Sequence, residues 1–250
     1  MTTLRNLLGL MVGLTAATAP AIGVAAEAVS FAAPDRVQVF ADYYRAERDA
    51  APLILLFHQA GSNRGEYATI APALVKLGFA ALAVDQRSGG DAWGRANETV
   101  QHLGHSAGFA AALPDLEAAL QWAKFRGGGK SIVWGSSYSA ALVFLLAAAH
   151  QDEIAALLAF SPGEFIGARG SIRRAASQLS LPIFVTSAKE ADEIAAAKAL
   201  IDAAPSTVKS QFVPRIGGVH GSTTLRADRN AKGAEENWDA VKDFLAKLRG

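Results

Sequence analysis

Ser131-Ile132-Val133-Trp134-Gly135-Ser136-Ser137-Tyr138-Ser139, followed by the alanine- and leucine-rich residues 140–149, is the stretch that decides the fold. The apolar residues 131–134 read as a buried strand and residues 140–149 as a helix, so Gly135-Ser136-Ser137-Tyr138-Ser139 is a sharp strand-to-helix turn. Such a turn holds up the central serine, Ser137, as a candidate nucleophile. The small flanks have a steric reason. Bulk at Gly135 or Ser139 would collide where strand and helix approach, and would bury the hydroxyl.

Outward from this turn, strand-like runs alternate with helix-period segments, the pattern of a mostly parallel sheet wrapped by helices. Residues 37–44 alternate as an edge or early strand. Residues 52–57, 79–84, 154–160, 183–186 and 208–213 supply further strands. Helical spacing links Tyr67, Ile70, Leu74 and Leu77, then Leu116, Leu120 and Ala123 in a helix entered at Pro114. Gly127-Gly128-Gly129 ends that helix. Later helices run near 172–179, through Ile194, Ala197 and Ile201, and through Trp238, Val241, Leu245 and Leu248. The expected fold class is therefore α/β. Only about 20 residues join the strands 154–160 and 183–186, too few for a folded lid, so the site is expected to lie open.

Residues 1–26 carry one charge, Arg5, an apolar stretch over 7–14, Pro20, and Val24-Ala25-Ala26 ahead of Glu27. This reads as a signal peptide cleaved after Ala26, which implies export to a periplasm or the exterior and no membrane attachment afterwards. The apolar core is short for a spanning helix of about 20 residues. Residues 27–250 then form one expected domain, with Ala33-Pro34-Asp35 as its only linker-like segment. Of 24 basic and 23 acidic residues in the full chain, removing Arg5 leaves 23 of each, so nothing in the charge balance implies nucleic acid. With no cysteine there is neither a disulfide nor a lipidated cysteine, and the 51% hydrophobic content suits a sheet covered on both faces.

Serine needs a base to become nucleophilic, and the base needs a carboxylate to fix its tautomer. His220, in Gly217-Gly218-Val219-His220-Gly221 between the last strand and the last helix, is the best base. His102 and His105 precede the turn, and His150 lies at the far end of the following helix. The acid is expected after the strand 183–186. Glu190 fits best and Asp192 is its rival. Asp192 is also explained as a helix cap, and Glu193 as a first-turn charge complementing the helix dipole. Glu164 is an outside candidate. For the developing oxyanion, backbone donors are expected at Tyr138 and in His58-Gln59-Ala60-Gly61; this loop resembles the His-Gly-x-Gly oxyanion turn, whose third residue donates, which makes Ala60 preferred and Gln59 second. His58 reads as structural. Trp93, Tyr138 and Phe165 are candidate pocket aromatics. Gly127-Gly128-Gly129-Lys130 precedes a strand and is not a phosphate loop.

His58-Gln59-Ala60-Gly61, Asp85-Gln86-Arg87, the Ser137 turn, the Glu190 region and Val219-His220-Gly221-Ser222 together resemble the α/β-hydrolase superfamily. Within it, the chain is similar to the lidless dienelactone hydrolase-like serine hydrolases over about residues 35–248. The resemblance implies an acyl hydrolase with a Ser137, His220, Glu190 triad that needs no cofactor or metal, acting on a small-molecule ester. Three positions depart from the family pattern: a serine replaces the cysteine nucleophile, a glutamate replaces the usual aspartate, and Gln59 replaces a glycine. The expected activity is a carboxylesterase for short-acyl or exposed esters. The alternatives are a peptidase, amidase or acyltransferase using the same residues, or a non-catalytic binding protein with this fold.

Overall fold

The computed structural model describes residues 24–127 and 129–249, so most of the expected signal peptide lies outside the described residues. Strands β1 (Ala26–Ala32), β2 (Gln38–Tyr44), β3 (Leu53–Phe57), β4 (Ala80–Asp85), β5 (Ser131–Ser136), β6 (Ile154–Phe160), β7 (Ile183–Thr186) and β8 (Lys209–Phe212) form one sheet. Their order is β1-β2-β4-β3-β5-β6-β7-β8. β2 is antiparallel to both β1 and β4, and every other neighbouring pair is parallel. The α/β expectation therefore holds.

The helices are α1 (Ile70–Lys76), α2 (Glu98–Leu103), α3 (Leu113–Phe125), α4 (Tyr138–Ala149), α5 (Ser171–Ala176), α6 (Ala191–Ala203) and α7 (Ala234–Lys247). Side chains alternate across a strand, so a strand covered on both faces is apolar at every position. In β3, Leu55 and Phe57 join the core under α3, α4, α5 and α6, whereas Ile54 and Leu56 join the core under α1 and α7. Each such fully buried side chain contributes roughly 1.5–3 kcal/mol. Pro114 sits in the first turn of α3, as its missing N–H requires. Between β6 and β7 the chain folds only the six-residue α5, so among the described residues this connection supplies no lid over the edge where the parallel strands end.

Two features differ from expectation. Ala33-Pro34-Asp35 is the turn of the β1–β2 hairpin rather than a linker: Ala33 N–H donates to the Val37 carbonyl at 2.8 Å. β1 (AEAVSFA) mixes small and polar residues and is largely exposed, so its sequence carries no strand signal of its own; pairing with β2 makes it a strand. α2 buries only Thr99 and shows no apolar stripe. Its ends define it, with Asn97 accepting from Val100 N–H and Gly104 closing it at φ 82°.

Two buried cations tie the loops after β4 to the body. Arg64 is 2% exposed, donates to Asp42 at 2.8 Å, and also pairs with Asp85 and Glu98. Arg87 bridges Asp115, at 2.6 Å, and Asp35 in the hairpin turn. Burial pushes the Asp85 and Asp115 carboxyls up, while the guanidinium beside each pulls it down. Removing one partner of such a pair strands a buried charge, at a cost of about 3–5 kcal/mol. Arg64→Met is thus expected to lose about that much stability in urea unfolding, well beyond the loss of an exposed cation such as Arg45.

Candidate active site

Ser137 follows β5 directly, with φ 58° and ψ −122°, as the cap residue of α4. Few L-residues occupy positive φ without strain, which costs of order 1–3 kcal/mol and recurs at functional sites. The flanks behave as steric reasoning requires. A Cβ on Gly135 would lie 2.3 Å from the Ser139 carbonyl oxygen and 2.6 Å from Ala140 Cα. Ser139 is more than small: its hydroxyl donates to the His58 carbonyl at 2.6 Å and accepts from Gln86 Nε2, fastening the turn to the neighbouring loop.

The last loop brings His220 to Ser137. Its Nε2 is 2.7 Å from Ser137 Oγ, the hydroxyl donating to the ring nitrogen. On the other side, Nδ1–H donates to Glu193 Oε1 at 2.7 Å. The carboxylate at the imidazole is therefore Glu193, and neither Glu190 nor Asp192 reaches it. Glu190 is the exposed, extended N-cap of α6, and Asp192 is exposed in the first turn. Helical side chains lean toward the N-terminus, so a glutamate at the third helical position reaches back over the loop. Glu193 does so, its Oε2 accepting Ala188 N–H at 3.1 Å. Its position complements the helix dipole, as the sequence suggests, and also turns the carboxylate toward His220. Glu164 lies elsewhere, accepting Ile172 and Arg173 N–H at the start of α5.

Burial raises the Glu193 carboxyl, but hydrogen bonds from His220, Ser161 and Ala188 N–H outweigh it and hold the group down to about 2. The hydrogen bond to Glu193 raises the His220 imidazole above its ordinary value against the opposing effect of burial, with further help from the charges of Glu66 and Glu190. Ser161 was not legible in the sequence. It directly follows β6 at φ 54°, helps lower the Glu193 carboxyl, and accepts Gly221 N–H at 2.9 Å.

Opposite His220 lies the loop after β3. His58 is buried and structural, as expected. Desolvation lowers it to about 4; Nδ1–H donates to the Gln59 carbonyl at 2.8 Å and Nε2 accepts Gln86 N–H at 3.1 Å. Gln59 N–H is taken by Glu66 Oε2 at 2.9 Å, which removes Gln59 as an oxyanion donor. Ala60 is exposed, and among the described residues no acceptor engages its N–H. Tyr138 N–H lies in the first turn of α4, where helix geometry supplies no acceptor. These two remain as candidate donors. Tyr138 itself is buried and stacked on Phe109 at 4.5 Å, so of this pair only Phe109 presents aromatic surface. Trp93 is covered by Arg226 and Arg229, and Phe165 is half-exposed. His102 sits against Phe40, and His150 beside Glu153.

Gly221 follows the imidazole at φ 70°, and a Cβ there would fall 2.4 Å from Ser136 Oγ. Gly221→Ala is therefore expected to cost about 1–3 kcal/mol in thermal unfolding through strain and overpacking. An unchanged melting temperature would show that this contact is loose.

The family model described as serine aminopeptidase S33 (Hydrolase_4) matches residues 48–169, just under half of the chain, from shortly before β3 through the Ser137 turn to shortly before α5. No curated protein matches the sequence significantly. An esterase of Pyrococcus furiosus superposes with a TM-score of 0.68 at 16% identity, over 95% of this chain and 96% of that one. A thermostable carboxyl esterase from Bacillus coagulans gives 0.67 at 12% identity, over 90% and 99%. A dienelactone hydrolase from Anabaena variabilis gives 0.66 at 15%, over 89% and 97%. The strand order and these likenesses give the chain the α/β-hydrolase fold, and together with the family model, which spans just under half of its residues, and the positive-φ serine turn they support a serine hydrolase similar to the dienelactone hydrolases.

Proposed function

We propose that the protein is an exported carboxylesterase in which Ser137, His220 and Glu193 form the catalytic triad. The observation that carries this reading is the unbroken series from Glu193 through His220 to Ser137 Oγ, with both links at 2.7 Å. In the proposed cycle, Ser137 Oγ attacks the ester carbonyl as His220 Nε2 takes its proton, and Glu193 stabilises the imidazolium. The tetrahedral oxyanion is received by the N–H groups of Tyr138 and Ala60. His220 then protonates the leaving alkoxide, releasing the alcohol. A water, deprotonated by the same imidazole, cleaves the acyl-enzyme to the free acid.

Short-acyl or exposed esters suit this site, because the His220 side chain is 41% exposed and the six-residue α5 between β6 and β7 is too small to enclose a long chain. Export is supported by the charge and hydropathy pattern of residues 1–26. Cleavage after Ala26 would leave β1 all but its first registered pair, Ala26 with Tyr44.

Turnover of p-nitrophenyl acetate tests the triad. Ser137→Ala and His220→Ala are expected to lower kcat by about 10⁴–10⁶-fold, and Glu193→Gln by about 10⁴-fold. Glu190→Gln and Asp192→Asn are expected to stay within about twofold of wild type. Loss of activity in Glu190→Gln with Glu193→Gln unaffected would reverse the assignment. Long-acyl esters and a peptide amide run in parallel should turn over poorly if the substrate assignment holds.

The sign of the pH dependence follows from His220. Protonated imidazole cannot accept the Ser137 proton, and its pKa is raised above the ordinary 6.5, so kcat/KM should fall as pH drops, with its acid midpoint above 6.5. Glu193, held at about 2, stays ionised throughout that range.

A further inference from the structure

We propose that Glu66 is a positioning residue whose buried carboxylate holds the oxyanion loop, the nucleophile turn and the histidine loop in register. This rests on the triad reading of Ser137. Glu66 is fully buried in the short 3-10 turn Arg64–Tyr67, under the edge that carries the site. Its Oε2 accepts Gln59 N–H at 2.9 Å, one residue before Ala60. Its Oε1 accepts the Ser136 hydroxyl at 2.7 Å, one residue before Ser137. Ser136 Oγ in turn accepts Ser222 N–H at 2.8 Å, two residues after His220. One carboxylate thereby reaches all three functional segments, which the chain supplies from positions more than 160 residues apart.

The geometry suits the ionised form: both carboxylate oxygens accept, one from Gln59 N–H and the other from the Ser136 hydroxyl. Desolvation is the larger effect and raises the carboxyl above its ordinary value, and the donors from Ser136 and Gln59 offset only part of it. The charged and titratable groups around it are Arg226, Tyr67, Tyr138 and His220. Arg226 gives its Nη1 to the carbonyls of Gly65 and Glu66, at 3.2 and 3.0 Å. The carboxylate is therefore not spent in a close ion pair with Arg226. Its bonds run to the loops around the candidate triad, and its charge adds to the field that favours protonated His220. A misplacement of about 1 Å at such loops can cost on the order of 100-fold in rate.

Glu66→Gln keeps the shape and removes the charge. Against wild type on p-nitrophenyl acetate, kcat is expected to fall about 10- to 100-fold. KM should change little, and the acid midpoint of kcat/KM should move to lower pH. Wild-type kcat and midpoint in a folded Glu66→Gln protein would overturn the inference. So would a lowered kcat with an unmoved midpoint, which would reduce Glu66 to packing. If circular dichroism shows Glu66→Gln unfolded, Ser136→Ala decides, because it cuts one link and leaves the charge. A kcat lowered about tenfold or more with an unshifted midpoint then supports the inference, and wild-type kcat overturns it. Wild-type protein with no esterase turnover would instead defeat the esterase reading, and the inference with it.

Discussion

Ser137 sits in a backbone conformation that serine avoids in a free chain, and much of the structure around it serves to keep it there. The strand before it is the fifth in sequence but lies between β3 and β6, in the middle of the sheet, where its hydrogen bonds fix it on both sides. The helix after it packs into the larger core through Ala140, Leu142, Val143 and Phe144. Between these two anchors the turn has little room to relax. Gly135 lets the helix backbone pass close, and the Ser139 hydroxyl fastens the turn to the loop after β3.

The same edge shows how environment separates carboxylates of similar intrinsic chemistry. Asp85 and Asp115 are buried against guanidinium groups and hold the loop after β4. Glu193 is partly exposed and meets the imidazole, where hydrogen bonds keep it ionised. Glu66 is fully buried and accepts from a backbone amide and a serine hydroxyl. Burial raises a carboxyl and donors lower it, so which effect wins depends on how many donors converge at each oxygen. Three roles follow from three sets of neighbours. In each, the carboxylate fixes a loop at the carboxyl ends of the strands, where an open α/β sheet presents its ligand site.

Most of the fold was legible because apolar runs in a doubly covered sheet are read directly from sequence. β3, β4, β5, β6 and β7 fall where their apolar residues place them, β7 at the expected bounds of 183 and 186. The elements missed, β1 and α2, bury little and depend on a partner strand or on end caps. In the site, Ser137 and His220 were visible because glycines and small residues flank them for steric reasons. The carboxylate was misplaced by three positions. Glu190, Asp192 and Glu193 cluster at one helix start, and only the helix phase, fixed by the exact first residue of α6, decides which side chain turns inward. Glu66 and Ser161 carry no local signal at all. A lone glutamate beside Tyr67 and a serine after β6 look ordinary until the sheet brings distant loops onto them.

The central claim is that the Ser137 hydroxyl is the activated nucleophile. Incubating the protein with a fluorophosphonate and mapping the adduct by peptide mass spectrometry tests it most directly. One phosphonylated residue is expected, Ser137, with Ser136 and Ser139 unmodified. An adduct on another residue, or none after prolonged incubation near neutral pH, would contradict it.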